Sequence, residues 1–439
     1  MTTLTDDLHD VHPGRARISL LLAIAVTVPA IIVRLTQPTL GHGLSALIFG
    51  LAIVGSAFML SWAAEVAQLD ISAGLAIAIL ALIAVLPEYA VDFVFAAKGG
   101  QSFLATGPAC LPLSGGTESP CSLALANMTG ANRLLIGVGW SMVVFIAFYR
   151  LRKRGALAKG EKWTGVKLDR EHAIEIAFLA IATLYSLTLP LKHSITLWDA
   201  GILIAIFIAY SIRVSRAPAE EPHLVGPARY LGSFVTVKRR LAIIAMGLFA
   251  ALVILLVAAR FAESLVQTGA DLGISEFLLV QWVAPLASEA PELLVAGLYA
   301  WRLNSNAALG TLVSSKVNQW TLLVGTLPIV FAVTSHSTHG LPLDPVQREE
   351  LFLTAAQSFF ALAVITSLSL SMREAALLFV LFFSQFLLGA VVPASMHGIE
   401  RVGVGSVYIL LGLWTFSRER GLIKPLLHDG FRAPYDALK

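Results

Sequence analysis

The stretch Gln281–Gly325, QWVAPLASEAPELLVAGLYAWRLNSNAALGTLVSSKVNQWTLLVG, is apolar enough to cross a bilayer twice, yet it carries Glu289, Glu292 and Lys316 at hydrocarbon depth. Ionisable groups are costly there unless they are paired, hydrated or used, so they mark a functional site. Pro291 has no N–H to donate, and its ring presses on the Ala287 carbonyl one turn earlier. The sequence therefore predicts a helix that opens at this turn, which a membrane tolerates where the freed carbonyls line protein or a wet cavity. Ser288, Glu289 and Glu292 share one helix face beside that break, an oxygen-rich patch suited to a hard cation. The plainer alternative is a simple kink whose two glutamates pair with Lys316.

Working outward, the chain is 57% hydrophobic and 13% charged, against about 25% charged in soluble domains. This composition predicts an all-α polytopic membrane protein. About twelve spans are expected, near 18–36, 42–66, 71–97, 122–149, 172–190, 195–212, 240–266, 274–300, 305–334, 349–370, 373–394 and 402–416. Arg15 and Arg17 precede the first apolar run with no convincing cleavage site after it, so the first span reads as uncleaved. The net charge of +3 is spread over loops and gives nucleic-acid binding no support. Lys and Arg cluster in 150–170 and 213–240, which places those loops and both termini in the cytoplasm and suits a bacterial inner membrane.

Cys110 and Cys121 then lie outside, where they either bridge or remain two inert thiols in a Gly-, Pro- and Ser-rich loop. His336, His339 and Asp344 read as a solvated loop rather than a metal site. Glu65, Glu263 and Arg260 fall near span ends and read as solvated or interfacially paired.

The opening stretch has a second copy. Ser61–Phe93 matches Ala259–Gly297: Glu65 answers Glu263, Ile71-Ser72 answers Ile274-Ser275, and Pro87-Glu88 answers Pro291-Glu292, with a one-residue gap between the last two anchors. Leu125–Leu135 matches Leu309–Gln319 more weakly. By the span count the two copies thread the membrane in opposite directions. Inverted repeats with Pro-interrupted helices predict a midplane site where the breaks meet. Glu88 and Glu292 are each expected about 14 Å from a helix end.

These residues resemble the two α-repeats of the cation/calcium exchanger superfamily, the sodium/calcium exchanger membrane region: Pro-Glu on one helix of each half, followed by a helix with Gly-Asn- and Gly-Ser-Asn-like elements. The motifs cover Ile71–Ser141 and Ile274–Gly325. The resemblance implies a ten-helix inverted-repeat core with one extra helix at each end. It also implies alternating access, with Ca²⁺ and Na⁺ competing for glutamates, hydroxyls, amides and unwound carbonyls. Carried over, Glu88 and Glu292 match the central carboxylates, Ser288 and Ser315 match a Thr and a Ser, Gln319 stands for an Asn or Asp, and Asn127 and Asn132 fit the first repeat. Departures are Ala84 and Val85 for Thr-Ser, Glu289 for Ser, Ala126 and Ala131 for Gly and Ser, Leu135 for a polar ligand, and Lys316 for Asn.

Arg133 and Lys316 lie about 15 Å deep, too far to snorkel, and are expected to face Glu88, Asp92, Glu289 or Glu292 and set charge balance. Asp92, one turn from Glu88, reads either as a cation or proton carrier or as the counter-charge of Arg133.

The reading is a cation antiporter, not an enzyme. It has no cofactor, its partners are inorganic cations and lipid, and Na⁺/Ca²⁺ exchange is placed first, with Na⁺/H⁺ or Ca²⁺/H⁺ exchange as the alternative. No intramembrane Ser-His, paired-aspartate or metal set supports hydrolysis. The parts are 1–41 (tail and extra helix), 42–212 (first half), 213–239 (basic linker), 240–396 (second half) and 397–439 (last helix and tail).

Overall fold

The computed structural model describes residues 13–67, 69–70, 86–113, 118–155, 163–216, 224 and 226–438. Hydrocarbon offers backbone groups no partner, so apolar runs satisfy them internally as helices. These are α1 (Pro13–Ala25), α2 (Val28–Thr36), α3 (His42–Ala67), α4 (Leu86–Thr106), α5 (Pro120–Leu134), α6 (Ser141–Lys153), α7 (Ala173–Ser186) and α8 (Leu197–Val214). The short α9 (Gly226–Gly232) then leads to α10 (Thr236–Leu272), α11 (Glu276–Trp301), α12 (Ser305–Asn318), α13 (Val324–Ser335), α14 (Pro345–Ile365), α15 (Met372–Val391) and α16 (His397–Phe431).

Capping boxes set the starts of α8, α14 and α15 at Thr196, Asp344 and Ser371. Asp344 is thus a helix cap, and it also accepts a hydrogen bond from Ser122 Oγ. Among the described residues, nine helical stretches are long and apolar enough to span a membrane. Leu248, Leu252 and Leu255 on α10 and Leu410, Leu413 and Trp414 on α16 are exposed, as lipid-facing residues are. The chain is an all-α integral membrane protein.

Two short strand pairs tie the halves together. β1 (Val166–Lys167) pairs antiparallel with β4 (Ser369–Leu370), and β2 (Ser194–Ile195) with β3 (Leu341–Pro342). β1 precedes α7 and β2 follows it, whereas β3 precedes α14 and β4 follows it. The loop before a helix in one half therefore meets the loop after the matching helix in the other. That is the arrangement two inverted copies produce.

Three expectations need correction or completion. Of the span at 71–97, residues 71–85, with Ala84 and Val85, lie outside the described residues; the rest is α4, which continues to Thr106 rather than ending near 97. Glu88 is therefore farther from that end of its helix than expected. Helix α11 runs unbroken through Pro285 and Pro291. Each proline removes a single donor, and the helices packed around α11 stabilise it against the loss. The expected opening occurs elsewhere, as wide π turns at Leu135–Trp140 between α5 and α6 and at Gln319–Leu323 between α12 and α13. Both begin at residues that the repeat alignment had matched, Leu135 and Gln319.

Cys110 and Cys121 form a disulfide, which holds the loop after α4 against the start of α5. Arg260 and Glu263 form an exposed pair on α10.

Candidate cation site

Helix α4 presents Glu88 and Asp92 one turn apart, and α11 presents Ser288, Glu289 and Glu292 beside Pro291. Glu88, Asp92, Ser288 and Glu289 are buried, and Glu292 is half-buried. Glu88 lies within electrostatic reach of Glu289, Asp92 and Glu292, so carboxylates from both halves do converge.

The amide residues come from α5, α12 and the second π turn. Asn127 Nδ2 donates to Asp92 Oδ1 (2.9 Å), and Gln319 Nε2 donates to Glu289 Oε1 (2.7 Å). Tyr89 OH donates to Asn318 Oδ1 (3.2 Å), a further link from α4 to α12 that the sequence reading missed. Ser288 Oγ donates back to the carbonyls of Ala284 (3.2 Å) and Pro285 (3.4 Å), so its hydrogen is engaged within its own helix while its lone pairs remain. Ser315 is half-buried next to Lys316.

Lys316 is fully buried, and its ammonium donates to both the main-chain oxygen (2.9 Å) and Oδ1 (2.6 Å) of Asn132. In the repeat alignment Asn132 and Lys316 are counterparts. The second-half residue has thus grown a charged arm that grips its first-half twin. The ammonium also lies over the Trp320 ring (4.9 Å) and feels Glu289 and Glu88.

Arg133 departs from expectation. It does not join the acids of α4 and α11; its guanidinium pairs with Glu350 on α14 (3.0 Å), donates to Gln385 on α15 (3.1 Å) and lies over Trp282 (5.2 Å). Side chains one position apart on a helix point about 100° from each other, so Asn132 and Arg133 serve different neighbours. Asp92 is consequently not the counter-charge of Arg133. Among the described residues, four acids face one base, Lys316, rather than the two expected.

Several buried oxygens here have no hydrogen-bond partner: Glu88 Oε1, Asp92 Oδ2, Asn127 Oδ1, Glu289 Oε2, Glu292 Oε2 and Gln319 Oε1. Buried acceptors left open cost free energy unless something arrives to fill them. They do not close into a shell: among the described residues no three His, Cys, Asp or Glu side chains stand close enough to hold a metal ion together. Hard cations take such oxygen donors.

A close approach sets the spacing of α5 and α11. A Cβ on Gly130 would lie 1.8 Å from the Gln281 carbonyl oxygen, the carbonyl to which Pro285 supplies no N–H. The sequence does not mark Gly130, Pro285, Gln281, Glu350, Gln385 or Arg401 as site residues. A clue was present in Glu350, an acid at the very start of a predicted span.

The family model described as sodium/calcium exchanger protein matches residues 41–215 and 242–391, two blocks that coincide with the two halves. The chain belongs to this family. It is a cation/calcium exchanger, a membrane antiporter and not an enzyme. The crystal structure of the H⁺/Ca²⁺ exchanger CAX is 39% identical to this exchanger, covers 97% of this chain and 100% of its own, and has a TM-score of 0.85. The selenium-substituted Ca²⁺/H⁺ antiporter protein YfkE is 15% identical, covers 90% of this chain and 100% of its own, and has a TM-score of 0.55, a likeness of fold alone. No curated protein matches the exchanger at the same standard.

Proposed function

We propose that this exchanger moves Ca²⁺ across the membrane in exchange for protons, by alternating access to a site built on Glu88 and Glu292. Glu289, Asp92, Gln319 and Asn127 complete the oxygen set, Ser288 and Ser315 offer lone pairs, and Asn132 with Lys316 sets the charge. The observation that carries the reading is the imbalance of four carboxylates, three buried and one half-buried, against one ammonium at the meeting of the halves. A divalent ion offsets most of that charge. When it leaves, other positive charge must take its place.

Two points favour protons as the replacement. The Lys316 ammonium is a tethered cation among oxygens that could otherwise coordinate Na⁺. The 39% identical relative is named an H⁺/Ca²⁺ exchanger. This reverses the order given by the sequence alone, which placed Na⁺ first. Sodium coupling is the second reading, favoured by the Ser288 and Ser315 positions that match the sodium/calcium exchanger motif. The basic loops support an orientation with both termini in the cytoplasm of an inner membrane.

Purified protein in liposomes separates the two readings. An imposed pH gradient should drive Ca²⁺ uptake in Na⁺-free medium, and a Na⁺ gradient should not. Lys316→Asn should then acquire Na⁺ dependence. Uptake that follows the Na⁺ gradient in the unmodified protein contradicts proton coupling, and a Na⁺ response that Lys316→Asn leaves unchanged contradicts the role given to the Lys316 ammonium.

A further inference from the structure

A second buried charge cluster lies beside the ion site and is built differently. Glu350, only 3% exposed, receives Arg133 from α5 on Oε2 (3.0 Å) and Arg401 from α16 on Oε1 (2.7 Å). Gln281 Nε2 on α11 also donates to Glu350 Oε2 (3.0 Å), and Arg401 reaches Glu349 as well (3.1 Å). Glu400 on α16 lies within electrostatic reach of Arg401, Glu350 and Arg133, so two guanidiniums face three carboxylates, with Glu350 held by both. The cluster joins α5, α11, α14, α15 and α16, the last of these lying beyond the family-matched blocks. It also opens onto a cavity of about 590 Å³ whose wall includes Gln281, Trp282, Glu349, Glu350, Gln385 and Arg401.

Its link to the ion site is a single peptide unit. Asn132, whose main-chain oxygen and side chain both hold the Lys316 ammonium, is followed directly by Arg133. Gln357 Nε2 on α14 donates to the Arg133 carbonyl (3.4 Å). Two residues later α5 gives way to the π turn at Leu135. A π turn adds a residue to the helical circuit and is a place where register can shift. Arg133 is therefore the last fixed point of α5 before a pliable segment, and it is fixed from the side of α14, α15 and α16.

We infer that Arg401, Glu350 and Arg133 form a positioning relay through which the last helix sets the cation affinity of the Glu88–Glu292 site. None of the three touches the ion. Arg401 neutralises and orients Glu350, Glu350 holds Arg133, and Arg133 fixes the main chain that presents Asn132 to Lys316. Loosening the relay lets Asn132 retreat, so the ammonium moves among the acids and competes differently with the incoming cation. This inference rests on the ion-site reading above.

The test is Ca²⁺ uptake by full-length protein in liposomes, with apparent KM and maximal rate measured separately and melting temperature recorded with and without Ca²⁺. Arg401→Gln should raise KM for Ca²⁺ about tenfold, within the usual range of coupling between linked sites. The maximal rate should stay within about twofold. The upward shift in melting temperature on adding Ca²⁺ should shrink in parallel, and Arg401→Lys should recover part of the loss. A folded Arg401→Gln protein with unchanged KM overturns the proposal, because a merely structural network would alter melting temperature alone. If that variant fails to fold, Gln385→Leu, which removes one bond from Arg133, must raise KM in the same direction; no change there also overturns it. Glu292→Gln measured alongside keeps the two readings apart: normal transport by Glu292→Gln removes the ion site itself, whereas a dead Glu292→Gln with an unaltered Arg401→Gln removes only the relay.

Discussion

Two buried charge clusters lie on either side of α5, and they differ in how their charges are paired. Both carboxylate oxygens of Glu350 have donors, and two arginines serve Glu349, Glu350 and the neighbouring Glu400. Around Glu88 the acids outnumber the base, several oxygens are open, and Lys316 donates to an amide and a carbonyl instead of to a carboxylate. Low dielectric makes the first arrangement stiff and the second unstable unless a cation joins it. An acid held by two arginines fixes geometry, and the proposed function assigns the acid-rich cluster to the cation.

That contrast predicts opposite signs for charge removal. Arg133→Met leaves Glu350 with half its compensation and should destabilise the protein by about 3–5 kcal/mol, read as thermal melting of detergent-solubilised protein. Glu289→Gln, which keeps its bond with Gln319 but removes one of the mutually repelling charges, should leave the Ca²⁺-free melting temperature equal or higher while transport falls. Equal destabilisation by both substitutions would erase the distinction between the clusters.

A smaller effect is expected at a third, interfacial group. Asp70, beyond the end of α3, is held by Arg239 (2.7 and 2.8 Å) and by Arg240 (3.1 Å) at the start of α10. The bond from the Arg239 guanidinium holds its carboxyl below the ordinary value of 3.8, aided by Arg240 and opposed by partial burial. Because the folded value is the lower one, this stabilisation is present above about pH 4 and is lost as pH falls through the folded value. Asp70→Asn should lower the melting temperature by roughly 2 °C at neutral pH, since an ion pair at the margin of the fold contributes little. The difference should fade in acid, and a loss that grows on acidification would contradict the pairing.

Much of the site was legible because charge is conspicuous in an apolar chain. Glu88, Glu289, Glu292 and Lys316 were found by depth alone, and the Pro-Glu repeat predicted that the two halves would bring their carboxylates together. The partner of Arg133 was not legible, since pairing depends on which helix passes that face, and Glu350 and Arg401 sat at the margins of predicted spans. The place where the helices open is not legible either. Proline is the visible signal, but a membrane helix tolerates one missing donor, and the π turns begin at Leu135 and Gln319, residue types that carry no such signature. The loops that pair as β1–β4 and β2–β3 have only two residues per strand, too few for any alternation to register.

The central claim is that Glu88 and Glu292 hold the same ion, and a double-mutant cycle in Ca²⁺ affinity tests it most directly. Titrating Ca²⁺ into purified protein, Glu88→Gln and Glu292→Gln should each weaken binding by about a hundredfold, close to 2.7 kcal/mol. Combining them should add little to either loss, since the second change removes a ligand from a site already gone. Losses that add fully, or Ca²⁺ binding at normal strength in either single variant, would contradict a shared ion.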